Sequence, residues 1–190
     1  CLLTDRSFAP LTVRLVARIL EGGDARRIAD SGWGAGELSI SIADARLEAN
    51  VLGLDISADL VAAASDRADG RSNLHFAVAD ASNWHDATFT PDLYVSRHGV
   101  MFFDDPVAAF ANLAASAADN AQMVFSCFRA PAENAWATKI AALVPSAPSG
   151  DLHAPGPFAF ADPVRVKGIL SAAGWSDVAF VPIDFDYVAG

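Results

Sequence analysis

Cysteine is scarce. Cys1 and Cys127 are the only two in 190 residues, too few for a disulfide framework, so a reducing, cytoplasmic setting is expected. Basic residues are outnumbered, with 13 Lys and Arg against 23 Asp and Glu and a net charge of −10. A nucleic-acid partner would want a basic face, and none is expected. No apolar run reaches the roughly 18 residues of a membrane span, and no basic segment precedes an apolar one in the manner of a secretory signal. What is present is an apolar chain, 53% hydrophobic and 19% charged with mean hydropathy +0.29, which can bury a core and is not disordered. Its length suits a single domain at roughly 150 residues each. A first residue that is Cys rather than Met suggests that the domain, 1–190, is trimmed.

Short β-type runs alternate with amphipathic helices, which predicts βαβ units and a parallel sheet. A helix is expected to start near Pro10, a good first-turn residue, with a stripe of Leu11, Leu15, Val16, Ile19 and Leu20 ended by Gly22 and Gly23. Strands are expected at 27–30, 51–55, 74–78, 92–96, 122–128 and 178–185. Helices are expected at 38–46, from Ser57 as N-cap to about Asp69, from Asp105-Pro106, at 135–144, and from Asp162-Pro163 to Gly174. The Asp105-Pro106 helix should turn Val107, Phe110, Leu113 and Ala114 inward. The proline-rich stretch 145–157 is a connector or a candidate lid loop.

Three acidic positions stand where such a sheet binds ligands, at the carboxyl ends of consecutive strands. Asp30 opens the turn Asp30-Ser31-Gly32-Trp33-Gly34-Ala35-Gly36 after the first strand, whose glycines permit a tight turn and close approach of a ligand. A dinucleotide fingerprint wants its third glycine where Glu37 stands. A carboxylate there repels a pyrophosphate, so the loop suits a ligand without phosphates. Asp55, 19 residues past Gly36, can accept from both hydroxyls of a ribose. Asp80 ends the third strand, where an acid can accept from an adenine amino group. The plain alternatives are a glycine-rich turn, an Asp capping the next helix, and an exposed turn Asp.

With these residues the chain resembles class I S-adenosylmethionine-dependent methyltransferases, from about Ala25 to Phe185. The acid-x-Gly-x-Gly-x-Gly pattern matches Asp30 to Gly36, and the acids ending the second and third strands match Asp55 and Asp80. Residues 96–106, 128–134 and 155–158 are similar to a bacterial subgroup of ubiquinone/menaquinone-biosynthesis C-methyltransferases. The resemblance implies a Rossmann-like, doubly wound, mostly parallel α/β sheet with helices on both faces. It implies S-adenosylmethionine as cofactor, with Gly32, Gly34 and Gly36 making room for its methionine part and Asp30 orienting its amino group. It further implies Asp55 on the ribose, Ile56 on the adenine face, Asp80 on the adenine amino group with the Ala81 backbone beside the ring, and the Ser96 carbonyl near the methionyl amine. Trp33 stands where a small residue is usual, Ser31 where an aliphatic one is, and His98 where Phe is more common. The implied sheet has seven strands, and the sequence stops at Gly190 after a sixth, so the last edge strand is expected to be missing.

Amino-methylating Asp/Asn-Pro-Pro-aromatic motifs are absent from the end of the fourth strand, which reads Ser96-Arg97-His98-Gly99. No acids stand there to hold magnesium, so no metal is expected. Cys127 lies in an apolar run and reads as a buried structural thiol. Methyl transfer from a sulfonium needs alignment and exclusion of water more than covalent help. If the acceptor is a hydroxyl or an acidic carbon, His98 is the candidate general base, against a plain pocket-wall histidine. Arg97 is placed either on an acidic substrate group or in a pair with Asp104. Phe102, Phe103 and Trp136 are candidates to line an apolar acceptor pocket, against plain core aromatics. The expected function is methyl transfer to a small apolar or aromatic acceptor; a homodimer is compatible with it. The rivals are a non-catalytic methyltransferase-like binding module and an NAD(P)-binding oxidoreductase.

Overall fold

The computed structural model describes residues 2–32, 34–143, 151 and 153–186, with the side chains of 2–5 left aside. In chain order the helices and strands are α1 (Leu2–Glu21), β1 (Arg27–Ser31), α2 (Glu37–Ala45), β2 (Asn50–Asp55), α3 (Ala58–Arg67), β3 (Leu74–Val78), β4 (Leu93–Arg97), α4 (Pro106–Ser116), β5 (Gln122–Ser126), α5 (Ala135–Leu143) and α6 (Pro163–Ala172), with 3-10 turns at Val100–Phe102 and Pro131–Glu133. The strands form one parallel sheet in the order β3-β2-β1-β4-β5. The order reverses between β1 and β4, the switch point at which open α/β sheets bind ligands.

Side chains alternate across the strands and build two cores. Ile28, Val51, Leu93 and Val95 face Leu15 and Ile19 of α1 and Leu38 and Ile42 of α2. Ala29 and Tyr94 face Phe110 and Leu113 of α4 and Val166, Ile169 and Leu170 of α6. Helix starts follow the capping residues. The Ser57 hydroxyl accepts from Leu60 N–H at 3.4 Å, Asp105 caps α4 through Ala108 N–H at 3.0 Å, and Asp162 caps α6 through Val164 N–H at 2.9 Å, satisfying N–H groups that a helix leaves without partners.

Four sequence-based expectations are corrected. Helix α1 does not start at Pro10 but runs through it from Leu2. Buried Ser7 upstream ties the first turns down, and the Thr12 hydroxyl donates to the Phe8 carbonyl at 3.2 Å beside the place where Pro10 has no N–H to give. Leu20 and Val107 point to solvent, 39% and 37% exposed, while Ala109, Phe110 and Leu113 fill the inner face of α4. Strand β5 ends at Ser126, two residues early. Residues 178–185 form no strand. A strand exists only by pairing, and among the described residues β5, the last strand in the order, has only β4 beside it, so five strands stand there instead of the expected six. Phe180 and Val181 are correspondingly exposed. Trp33 and most of the 145–157 loop lie outside the described residues. Among these, no helix is long and apolar enough to cross a membrane.

Candidate functional site

The carboxyl ends of β1 and β4 are held together by backbone contact and one hydroxyl. Gly32 takes φ 69°. A Cβ on it would lie 2.8 Å from Gly99 Cα, and a Cβ on Gly99 would lie 2.5 Å from the Ser31 carbonyl oxygen. The buried Ser96 hydroxyl donates to the Ser31 carbonyl at 2.6 Å and accepts from Gly99 N–H at 3.1 Å and Val100 N–H at 3.3 Å. Sequence reasoning assigned Ser96 by its carbonyl; its side chain is the tie. Gly99 was missed, since its need arises only across the fold. Because Gly99 has φ −77°, Gly99→Ala is a purely steric change. It is expected to destabilise by about 2–3 kcal/mol in urea unfolding; a variant as stable as wild type would mean that the loops part freely.

The glycine loop ends at Gly36, φ 82°, where a Cβ would meet Ala64 Cβ at 3.0 Å and the Phe76 ring at 3.1 Å. Its middle is anchored by Asp55. One Asp55 carboxylate oxygen accepts from Gly34 N–H at 3.1 Å and the other from Ser57 N–H at 2.9 Å. The acid is thus aimed by the loop it faces. Ile56, beside it, is 75% exposed although apolar. Asp80 is exposed, and its carboxylate accepts from Ser82 N–H at 2.9 Å and Asn83 Nδ2 at 3.3 Å, while Ala81 is buried.

Asp30 lies fully buried on β1. Its Oδ2 accepts from the Ser39 hydroxyl at 2.6 Å, but Oδ1 has no partner. Burial pushes its pKa up to about 7, with the Ser39 hydrogen bond and the Arg97 charge pulling it back and Asp55 pushing further up. A buried carboxylate with an unmet oxygen is costly and suits a site that receives a donor or a cation from outside the chain.

Arg97 does not pair with Asp104. Its guanidinium donates to Glu37 of α2 and, at 2.6 Å, to the Thr12 hydroxyl of α1, and lies 5.7 Å from the centre of the Phe8 ring. The Arg97 and Glu37 side chains are only 9% and 18% exposed. Glu37, whose charge argued against a pyrophosphate, is thus neutralised inside the protein.

His98 follows at φ 65°, its ring stacked on Phe128 with centroids 4.1 Å apart and edge-on to Phe8 at 5.1 Å. Burial, with Arg97 second, lowers its pKa to about 4, so the imidazole is neutral at pH 7 and a weak base. The aromatic layer continues through Phe128, edge-on to Trp136 at 5.3 Å, to Phe158, stacked on Trp136 at 5.5 Å. Phe185 joins on the far side of Phe8 at 6.2 Å. The two phenylalanines expected to line a pocket divide. Phe102 is 55% exposed, while Phe103 packs edge-on to Phe110 at 5.6 Å in the core. Phe8 was missed because the expected helix began after it. Two open cavities, of about 240 and 360 Å³, lie elsewhere, around Arg26 and Arg46 and around Arg71 and His75. Among the described residues no three His, Cys, Asp or Glu side chains converge as a metal site would need.

The order of the sheet and the glycine loop facing the carboxyl ends of β1 and β4 define the Rossmann-like fold of class I methyltransferases. The chain carries a matching domain: residues 28–120 match the family described as Methyltransferase domain. Among solved structures it is similar to the N-methyltransferase NodS from Bradyrhizobium japonicum WM9, at 17% identity and TM-score 0.63 over 88% of this chain and 82% of that one. It is also similar to magnesium protoporphyrin IX methyltransferase from Synechocystis PCC 6803, at 21% identity and TM-score 0.64 over 88% and 73%. Human N-acetylserotonin methyltransferase follows at 17% identity and TM-score 0.65 over 89% of this chain but 47% of that one. No curated protein matches the chain in sequence.

Proposed function

We propose that the protein is an S-adenosylmethionine-dependent methyltransferase acting on a small apolar or aromatic acceptor in the cytoplasm. The observation that carries this is the unpartnered Asp30 Oδ1 beside a glycine cradle whose own amide holds Asp55. The residues present fit the cofactor. Gly34, with nothing within 4 Å of its Cβ position, leaves space for its methionine part, Gly32 and Gly36 let the turn close against Gly99 and against Ala64 and Phe76, and Asp30 offers a carboxylate to its ammonium. Asp55 keeps lone pairs for the ribose, exposed Ile56 offers an apolar face to the adenine, and Asp80 and the Ala81 backbone stand at its amino edge. The Ser96 carbonyl closes the methionyl side. The cofactor supplies an electrophilic sulfonium methyl group.

The rest is alignment. The layer of Phe8, His98, Phe128, Trp136 and Phe158 offers flat apolar surface to an acceptor and keeps water from the methyl group. Exposed Phe102, four residues past His98, is proposed to extend this surface. Arg97, spent on Glu37, positions α1 and α2 instead of binding an acidic substrate. Neutral His98 accepts a hydrogen bond from the acceptor; at a pKa near 4 it takes a proton only from an acidic nucleophile. The run 96–106 makes C-methylation of the ubiquinone/menaquinone kind the first chemistry to assay.

Calorimetric titration with S-adenosylmethionine, S-adenosylhomocysteine and NADH tests the proposal. Micromolar binding of the first two and none of the third is expected, and Asp55→Ala should weaken it by about 1.5–3 kcal/mol. A folded wild-type chain that binds neither sulfur ligand overturns the proposal. Binding without turnover across an acceptor panel would favour a non-catalytic module.

A further inference from the structure

The aromatic layer holds one buried polar atom without a hydrogen-bond partner. The indole Nε1–H of Trp136 is buried and has no hydrogen-bond partner. Buried tryptophans ordinarily place this group on an acceptor, as Trp175 does here by donating to the Phe110 carbonyl at 3.0 Å. Trp136 is otherwise well held, stacked on Phe158 at 5.5 Å with an interplanar angle of 13° and edge-on to Phe128. Phe128 in turn stacks on His98. The Tyr94 hydroxyl is also unpartnered, but it sits in the closed core against Trp175 and α4, where nothing can reach it. Trp136 instead lies at the carboxyl edge of the sheet, on a helix that contributes no buried residue to either core.

We propose that Trp136 is a specificity-determining residue: its indole N–H donates to an uncharged oxygen or aromatic nitrogen of the acceptor, which selects flat, neutral ligands bearing such an atom over plain hydrocarbons. This rests on the aromatic layer being the acceptor site. A cationic acceptor finds no carboxylate in the layer, whose members are Phe8, His98, Phe128, Trp136, Phe158 and Phe185. An anionic one finds Arg97 already paired with Glu37. What the layer offers is area, the neutral His98 imidazole and one buried donor without a partner, the Trp136 N–H. Burying that donor against an acceptor atom gains more than burying it against carbon, because an unmatched polar group in an apolar site is penalised.

The test uses two ligands of one shape. Quinoline carries a ring nitrogen acceptor that naphthalene lacks. Each is titrated by ligand-observed NMR into the full chain saturated with S-adenosylhomocysteine, for wild type and Trp136→Phe. Wild type is expected to bind quinoline at least tenfold more tightly than naphthalene. In Trp136→Phe, which keeps the stack and removes the donor, that ratio falls to about 1 while naphthalene binding changes less than twofold. A ratio unchanged in Trp136→Phe, or near 1 in wild type, overturns the assignment of Trp136 and leaves the acceptor site standing. If wild type binds neither ligand, the aromatic layer is not the acceptor site, and the proposal falls with it. Trp136→Leu, which removes ring and donor together, should lose both ligands; retention of the quinoline preference there places the donor elsewhere.

Discussion

Asp30→Asn is expected to make the protein more stable at pH 8 and to cripple cofactor binding. The folded state holds the Asp30 proton up to about pH 7, whereas the unfolded chain releases it near the ordinary value of 3.8. Between these values the folded state binds the extra proton, so Asp30 destabilises the fold progressively as pH rises from about 4 to 7 and reaches its full cost above 7. The linkage limit is about 4 kcal/mol, and relaxation around the buried group brings the expectation to about 2 kcal/mol. Asparagine can still accept from Ser39 and carries no charge. Urea unfolding of both proteins at pH 5 and pH 8 checks this: the advantage of the variant should be small at pH 5 and large at pH 8. An equal gap at both pH values would show that Asp30 ionises in the fold as it does in water. The proposed role of Asp30 toward the methionyl ammonium gives the companion effect. Affinity for S-adenosylhomocysteine in wild type should rise with pH through 7, and Asp30→Asn should be weak and flat.

Arg97→Met is expected to be the most destabilising single change, by about 3–5 kcal/mol, because it leaves Glu37 charged and buried without its counter-ion. The loss spreads to α1, since Arg97 also holds Thr12 and lies against Phe8. The cost belongs to the broken pair rather than to either residue, so Arg97→Met with Glu37→Gln should recover at least half of it in urea unfolding. A double variant as unstable as the single one would assign the loss to packing around the arginine stem. Both proteins should also show faster amide exchange in the first half of α1 than wild type.

The elements that sequence alone located are those set by local signals. Ser57, Asp105 and Asp162 announce helix starts by their capping chemistry, and Asp30, Asp55 and Asp80 fall at strand ends that hydrophobic runs make visible. The elements that escaped depend on partners distant in the chain. Residues 178–185 form an apolar run that reads like a strand, yet a strand needs a neighbour to bond, and no local pattern reports whether one is there. Pro10 reads as a start because proline favours the first turn; it is tolerated mid-helix here since buried Ser7 and half-buried Phe8 hold the turns before it. Arg97 stays open in sequence between a substrate and Asp104 because its partner is Glu37 on α2, distant in the chain, and the lowered pKa of His98 follows from burial by rings supplied by α1 and the segment after β5, with the Arg97 charge second. Gly99 had no visible reason to be glycine until the Ser31 carbonyl came within reach.

The contact of Gly32 with Gly99, tied by Ser96, couples the two loops. The glycine loop belongs to the half of the sheet proposed for the cofactor, whereas Gly99 directly follows His98 in the half proposed for the acceptor. With backbones this close, neither loop can shift alone. A ligand that settles the glycine loop is therefore expected to settle the neighbouring His98 ring as well, and because coupling between two sites is reciprocal, occupancy of either half is expected to change the affinity of the other by the same factor.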